Sequence, residues 1–218
     1  MNVMELMTQR HSVRQYTHAA IEAEKREILN TLVSQINEEA QLHIQILYDE
    51  PGCFDSFMAH YGKFSGVKNY IALVGPKGED LDEKLGYYGE KLVLKAQELG
   101  LNTCWVALTH GKSKAEVAKG EKHGCILALG YGENVGVPHK SKPMEALCKV
   151  AGEMPDWFRR GMEAAMEAPT AMNQQKFTFK PLPDGKVEAI AGKGFYTRVD
   201  LGIAKCHFEL GAQKDDIF

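Results

Sequence analysis

Two arginines and a serine lie within five residues of one another just after the first predicted helix. The segment reads Arg10-His11-Ser12-Val13-Arg14. Guanidinium groups offer planar, multidentate N–H donors, and a serine hydroxyl adds one more at short range, so this set suits the oxygens of a phosphomonoester. The same residues could form a solvated polar segment paired with nearby acids, and their spacing alone leaves both interpretations open.

A glycine-rich loop over residues 130–143 follows an apolar run and ends in basic residues. Its last part contains Lys140-Ser141-Lys142. Glycines let the backbone approach a flat ligand, while the two lysines bring donors to an anion. A surface loop with two lysines is the plain alternative.

A third polar segment, residues 168–177, joins a predicted helix to a predicted strand. Asn173, Gln174 and Gln175 carry both donors and acceptors, which is the set needed to read the polar edge of a heterocycle. Pro169 stiffens the approach to them. Asn and Gln after a proline can also simply cap or line a turn.

Apolar periodicity predicts the elements that must position these residues. Helices are predicted over 3–9, through 28–36, over 81–99, from Pro155 to before Pro169 and over about 199–212, with a short helix beginning near Ser113. Strands are predicted over 42–48, 69–75, 103–108, 125–129, 176–180 and 186–190, and residues 54–64 are expected to form a loop. The fold class is therefore α+β, with a mixed, mostly antiparallel sheet flanked by helices. The chain has no strand followed by G-x-G-x-x-G and a helix, which disfavours a Rossmann dinucleotide site.

Composition restricts the kinds of partner. The chain has 218 residues and a net charge of −3, so no broad basic field attracts nucleic acid or an anionic membrane. Five cysteines form no C-x-x-C pair, which indicates reduced thiols. We see no signal peptide and no apolar run long enough to span a membrane, so we expect a cytoplasmic protein.

Together, the three polar segments resemble the FMN-dependent nitroreductase family. Members begin with a short helix and an Arg-x-Ser-x-Arg/Lys motif that holds the flavin phosphate, which Arg10, Ser12 and Arg14 match. Residues 168–175 are similar to a family motif, Ala-Pro-Ser-Ala-x-Asn-x-Gln, near the flavin. Residues 89–107 and 130–142 resemble the family's later helix and strand and its second phosphate contact. The resemblance covers most of the chain and implies a nitroreductase-like fold.

The order of the motifs departs from that of typical members. The Ala-Pro motif at residue 168 lies more than 150 residues after the arginine motif, whereas the usual separation is a few tens. This arrangement looks like the divergent branch known as the putative TM nitroreductases, in which repeated halves share the duties. Residues 157–211 weakly echo residues 26–100, and we expect 1–218 to form a single FMN-binding domain. The family's flavin lies at a homodimer interface, so the resemblance implies a homodimer and leaves open whose flavin Asn173 contacts.

The resemblance implies an oxidoreductase that takes hydride from NADH or NADPH onto FMN and reduces a small electron-poor acceptor, such as a nitroaromatic or a quinone. The flavin performs the redox step, so no catalytic side chain and no metal is expected. The implied FMN contacts are Arg10, His11, Ser12, Arg14, Lys140 and Lys142 at the phosphate and ribityl end, Leu108 and Thr109 at the isoalloxazine, and Asn173 and Gln175 at the ring edge or the substrate. Phe57 and Tyr61 would stack on substrate from a lid over residues 54–64. A non-catalytic FMN-binding or storage protein is the alternative, since it would use the same phosphate clamp.

Overall fold

The computed structural model describes residues 2–218, which form two compact units. The four-stranded unit comprises residues 10–81 and 92–137. The two-stranded unit comprises the N-terminal residues up to Gln9, residues 82–91 and residues 138–218. Each unit contains part of the residue set that the sequence singles out.

Helices and strands alternate along the chain much as the apolar periodicity predicts. The α-helices of residues 2–218 are α1 (Val3–Gln9), α2 (Ala23–Ala40), α3 (Phe57–Tyr61), α4 (Leu81–Glu98), α5 (Asp156–Ala165) and α6 (Thr197–Ala212). The strands are β1 (Gln45–Leu47), β2 (Asn69–Pro76), β3 (Asn102–Val106), β4 (Glu121–Gly130), β5 (Phe177–Pro181) and β6 (Val187–Ala191). Within this part of the chain, no helix is both long and apolar enough to cross a membrane.

The four-stranded unit is built on an antiparallel sheet with the strand order β1-β2-β4-β3. Residues 69–75 of the inner strand β2 are all buried, as the uninterrupted apolar run predicts. β2 pairs with β4 from Asn69 opposite Leu129 to Pro76 opposite Glu121. Isolated parallel bridges, such as Ser12 with Thr103, add to this sheet. The predicted α+β class with a mixed, mostly antiparallel sheet is confirmed.

The two-stranded unit packs a hairpin and two helices around one phenylalanine. β5 and β6 pair antiparallel, and the rings of Phe158 and Phe179 lie 5.2 and 4.9 Å from that of Phe208, centroid to centroid. A Cβ on Gly161 of α5 would lie 2.6 Å from Phe208 Cζ. The absence of a side chain at Gly161 therefore lets α6 bring Phe208 into the core.

The prediction of a short helix near Ser113 is wrong, because residues 112–118 are irregular. Side chains bond main-chain groups that a helix would use in its own hydrogen bonds. Ala118 N donates to Glu121 Oε2 at 2.7 Å, and Gln45 Nε2 donates to Glu116 O at 2.8 Å. These bonds replace the bonds between successive turns that a helix would form.

Other differences concern the ends of elements. Residues 54–64, expected to form a loop, contain the short helix α3, whose first turn is capped by Ser56 Oγ accepting from Ala59 N at 3.2 Å. β3 ends at Val106 rather than at residue 108, and β1 is shorter than predicted. The order helix, strand, strand, helix occurs both in α2 to α4 and in α5 to α6, with α3 as an extra helix in the first. The duplication itself stays a prediction.

Candidate functional site

Main-chain hydrogen bonds hold residues 12–16 on both sides in the four-stranded unit. Val13 N donates to Thr103 O at 3.0 Å, and Tyr16 N donates to Ser65 O at 2.9 Å. Ser12 opposes Thr103 of β3 in a parallel bridge. The predicted phosphate-binding residues therefore lie on backbone that pairs with an edge strand of the sheet.

Arg10, Ser12 and Arg14 come together near the thiol of Cys104. Burial raises the pKa of this thiol, whereas Arg14, a hydrogen bond with Ser12, and Arg10 act to lower it. Arg10 is buried, with 4% of its surface exposed, and Arg14 is exposed, with its guanidinium 5.9 Å from the centroid of the Phe64 ring. Two guanidiniums and a hydroxyl at one place create a local positive potential that suits an anion.

The hydroxyl of Tyr16 is buried beside this cluster. Within residues 2–218, its oxygen has no hydrogen-bond partner. Burial, then the neighbouring Cys104, raises the pKa of Tyr16 well above its usual value, while Arg14 acts in the opposite direction. A buried polar group without a partner costs about 1–3 kcal/mol, so its retention is notable. The chemistry of this donor set fits the phosphate end of FMN.

His11 attaches the glycine-rich loop to the same segment. Its Nδ1 lies 3.1 Å from Val135 O, and it must donate there because a carbonyl oxygen only accepts. Gly136 has a φ of +70°, and a Cβ on it would lie 2.7 Å from His11 Cβ. The close approach and the left-handed backbone together explain a glycine at this position.

The predicted lid lies next to the predicted isoalloxazine contacts. Phe57 and Tyr61 are the first and last residues of α3, and a Cβ on Gly62, which follows the helix, would lie 2.6 Å from Thr109 Cβ. Phe57, Tyr61 and Leu108 are 82%, 75% and 68% exposed. The four-stranded unit thus presents exposed apolar side chains close to Thr109, where an aromatic ligand could stack.

Lys140, Lys142, Asn173 and Gln175 also lie together, in the two-stranded unit. The Gln175 side chain is buried; its Oε1 accepts from Lys142 N at 2.8 Å, and its Nε2 donates to Lys140 O at 2.9 Å and Asn173 Oδ1 at 2.7 Å. Asn173 Nδ2 donates to Lys140 O at 3.0 Å. The Gln175 amide is therefore used within the protein, while Lys140 and Asn173 are exposed.

The ammonium group of Lys142 supports the same segment. Its Nζ donates to Gln174 O at 2.8 Å and to Gln175 O at 3.1 Å. An ammonium group has three N–H donors, so these two contacts leave one that can reach an anion. Lys142 can therefore both hold residues 174–175 and contribute charge to a phosphate.

Three of the four residues 172–175 are held in an unfavourable backbone conformation. Met172, Asn173 and Gln175 have φ values of +53°, +53° and +44°, in the left-handed region. This region costs an L-residue about 1–2 kcal/mol. The Met172 side chain is also 99% exposed. Strain of this kind persists only where surrounding contacts enforce it, and it concentrates at functional segments.

Asp200, in the first turn of α6, provides two of those contacts. Its side chain is 2% exposed; Oδ1 accepts from Ala171 N at 2.8 Å, and Oδ2 accepts from Gln174 Nε2 at 2.7 Å. Burial raises the pKa of Asp200 to about 6, although both hydrogen bonds act to lower it. The carboxylate is thus a buried group that titrates near neutral pH.

Comparison with known proteins identifies the family. A family model described as putative TM nitroreductase matches residues 2–212. The chain belongs to this nitroreductase family. The resemblance inferred from the three polar segments is confirmed, and a search of curated proteins gives no significant match.

Solved nitroreductases share the fold. A putative nitroreductase from Thermotoga maritima is 23% identical, with a TM-score of 0.69, over 97% of this chain and 83% of that one. A putative nitroreductase from Desulfovibrio desulfuricans in complex with FMN is 18% identical, with a TM-score of 0.54, over 70% of this chain and 98% of that one. A putative NADH dehydrogenase/NAD(P)H nitroreductase from Bacteroides thetaiotaomicron is 16% identical, with a TM-score of 0.52, over 66% and 95%. These structures confirm the nitroreductase-like fold.

Some residues that shape the candidate site of this nitroreductase-family protein could not be picked out from the sequence. Cys104 and Asp200 stand in apolar patterns that predict only a strand and a helix, so neither attracts attention. The one available signal for Asp200 is a charged residue on the apolar face of a helix, since buried acids need partners. Within residues 2–218, no group of three or more His, Cys, Asp or Glu residues could hold a metal ion.

The raised pKa of Asp200 predicts a pH-dependent loss of stability. Its ordinary pKa is 3.8 and its value in the fold is about 6, so the folded state binds the proton more tightly. The free energy of unfolding should therefore fall as pH rises from about 4 to 6, by at most about 3 kcal/mol from this group. Asp200→Asn removes the ionisable group. The free energy of unfolding of the variant should therefore rise relative to that of the unaltered protein as pH increases from about 4 to 6.

Urea unfolding of both proteins at several pH values measures the difference, in which the titrations of the other carboxyl groups cancel. A difference that stays constant from pH 4 to 7 would contradict the burial of an ionisable Asp200.

Proposed function

We propose that this nitroreductase-family protein binds FMN and is an oxidoreductase that takes hydride from NADH or NADPH and reduces small electron-poor acceptors, such as nitroaromatics or quinones. The observation that carries the proposal is the convergence of Arg10, Ser12 and Arg14 beside Cys104 in the four-stranded unit. The family assignment supports it, because nitroreductases are oxidoreductases, and one solved structure with this fold contains FMN.

Each unit supplies part of the proposed binding set. In the four-stranded unit, Arg10, Ser12 and Arg14 bind the phosphate, His11 fixes the adjoining loop, and the backbone at Leu108 and Thr109 faces the isoalloxazine. In the two-stranded unit, Lys140, Lys142 and Asn173 contact the cofactor of the same chain or of a partner. Gln175 acts through the position of this segment, because its amide is already bonded within the protein.

When bound, FMN would supply the redox chemistry between the nicotinamide nucleotide and the acceptor. The residues named above would hold and orient the cofactor and the reactants. Phe57, Tyr61 and Leu108 supply exposed apolar surface near Thr109, on which a flat acceptor can stack. The proposed substrates are therefore flat and electron-poor rather than strongly charged.

The phosphate-binding role of Arg14 predicts a large loss of FMN affinity in Arg14→Ala. A charge-assisted hydrogen bond contributes about 1.5–3 kcal/mol, so the dissociation constant should rise at least about tenfold. Quenching of flavin fluorescence on titration measures this. Arg159→Ala, which removes an exposed arginine of α5, is the matched control and should leave the affinity unchanged. A change of less than about threefold in Arg14→Ala would show that this residue does not hold the phosphate.

Turnover separates an enzyme from an FMN-binding or storage protein. The FMN-loaded protein should oxidise NADH or NADPH when benzoquinone is supplied under anaerobic conditions, as followed by loss of nicotinamide absorbance. The protein without FMN is the control and should be inactive. A protein that binds FMN but consumes neither nucleotide would favour the storage alternative.

We also propose that the protein is a cytoplasmic homodimer. Val135 and Val137 of the four-stranded unit and Phe195 of the two-stranded unit are 72%, 79% and 89% exposed, and large exposed apolar side chains favour association. Within residues 2–218, no disulfide bond joins any of the five cysteines, which suits a reducing compartment. Sedimentation equilibrium should give twice the chain mass of 24.3 kDa; a single-chain mass at micromolar concentration would contradict the dimer.

A further inference from the structure

The carboxylate of Asp200 lowers stability at neutral pH, so its presence needs another explanation. Its pKa is raised because burial disfavours the charged form. A neutral residue at this position would avoid that cost. The carboxylate provides two hydrogen-bond acceptors to the segment 171–174. Its Oδ1 lies 2.8 Å from Ala171 N, and its Oδ2 lies 2.7 Å from Gln174 Nε2.

The bonding of Gln174 requires that both oxygens of Asp200 accept. Gln174 Nε2 donates one hydrogen to Asp200 Oδ2 and the other to Phe195 O at 2.8 Å. Rotating the amide by 180° would place Gln174 Oε1 against the carbonyl of Phe195, so it cannot simply reverse. An asparagine would bring an NH₂ donor to one of the two positions where the protein already supplies a donor. A protonated Asp200 would leave one of the two bonds to a hydroxyl oxygen, which is a weaker acceptor than a carboxylate oxygen. The ionised carboxylate is the form that accepts both bonds strongly.

Asn173 depends on the same anchoring. It lies between the two anchored residues in sequence, has a left-handed backbone, and is bonded through its side chain to Lys140 O. Lys142 holds the segment from the other side through Gln174 O and Gln175 O. Release of Ala171 and Gln174 would remove the contacts that enforce the strained conformation, and Asn173 would relax with its neighbours.

We propose that Asp200 is a positioning residue, whose ionised carboxylate holds residues 171–175 in the conformation that binds FMN. This inference rests on the proposed function and adds a pH dependence to it. FMN affinity falls as Asp200 is protonated, and Asp200→Asn, which carries no charge at this position at any pH, removes that pH dependence.

Other charged groups on the surrounding elements pair with each other, bond the backbone or are at least partly exposed. Lys142 binds the carbonyls of residues 174 and 175. Lys176 directly follows the segment 171–175, and its Nζ lies 3.3 Å from the position that a Cβ on Gly194 would take. Three pairs link α4 to α6, namely Glu83 with Lys205, Glu90 with His207, and Tyr87 with Glu209, and on the hairpin Lys180 pairs with Glu188. The remaining charged residues are at least partly exposed: Glu5 of α1, Arg159, Arg160 and Glu163 of α5, and Arg198 of α6. The pKa of Asp200 is accordingly governed by burial and its two hydrogen bonds.

The test measures FMN dissociation constants from pH 5 to 8 for the unaltered protein, Asp200→Asn and Asp215→Asn. The last is a matched control, because Asp215 is exposed in the same unit. At pH 8, Asp200→Asn should bind FMN at least about fivefold more weakly than the unaltered protein, and the ratio should approach one by pH 5. Apart from residues 200 and 215, the three proteins share the same titratable groups, so the ratio isolates Asp200.

Hydrogen exchange gives a second readout that needs no cofactor. The amide of Ala171 should exchange slowly in the unaltered protein at pH 8 and at least about tenfold faster in Asp200→Asn, after correction for intrinsic rates. If Asp200→Asn does not fold, Gln174→Met, which removes one of the two bonds, replaces it in both measurements with the same expected direction.

The outcomes separate the two proposals. If the unaltered protein binds FMN and the ratio stays within about twofold of one at every pH, Asp200 has no positioning role, although the proposed function stands. A ratio that departs from one but does not change with pH also overturns the inference, since it indicates a purely structural effect. If the unaltered protein binds no FMN, the proposed function fails and this inference fails with it.

Discussion

Main-chain pairing of residues 12–16 with Thr103 on one side and Ser65 on the other fixes where the charged side chains of this segment lie. The pairing buries Val13 and Tyr16 and brings two guanidinium groups beside the thiol of Cys104. A chain with a net charge of −3 thereby acquires a locally positive site without a basic surface. The anchored loop at His11 and the exposed apolar residues near Thr109 complete the features that support FMN binding in the four-stranded unit.

In the two-stranded unit, the features that fix the conformation of residues 171–175 also lower the stability of the fold. Three residues in the left-handed region and a buried carboxylate with a raised pKa all disfavour the folded state at neutral pH. The hydrogen bonds of Gln175, Lys142 and Asp200 enforce this conformation. Such a concentration of cost in one short segment is typical of functional sites. It is consistent with a role for Asn173 in ligand contact rather than in packing.

Most helices and strands could be predicted from the sequence, because their apolar periodicity is local. The buried run at β2 and the helical spacing in α4 are such cases. The helix expected at Ser113 does not form, because side chains such as that of Gln45, 71 residues away from Glu116, bond the main chain of this segment instead. The partnership of Asp200 with residues 171 and 174 spans 29 and 26 residues along the chain, and no local pattern encodes it. Likewise, adjacent polar residues look alike in sequence, yet Gln175 is buried while Asn173 is exposed.

The absorption spectrum of the purified protein shows whether these residues bind FMN. We expect a yellow protein with a flavin band, from which denaturation releases FMN in proportion to the amount of chain. If the cofactor is lost during purification, added FMN should restore the band and co-elute with the protein. A colourless protein that takes up no added FMN would show that these residues do not form an FMN site.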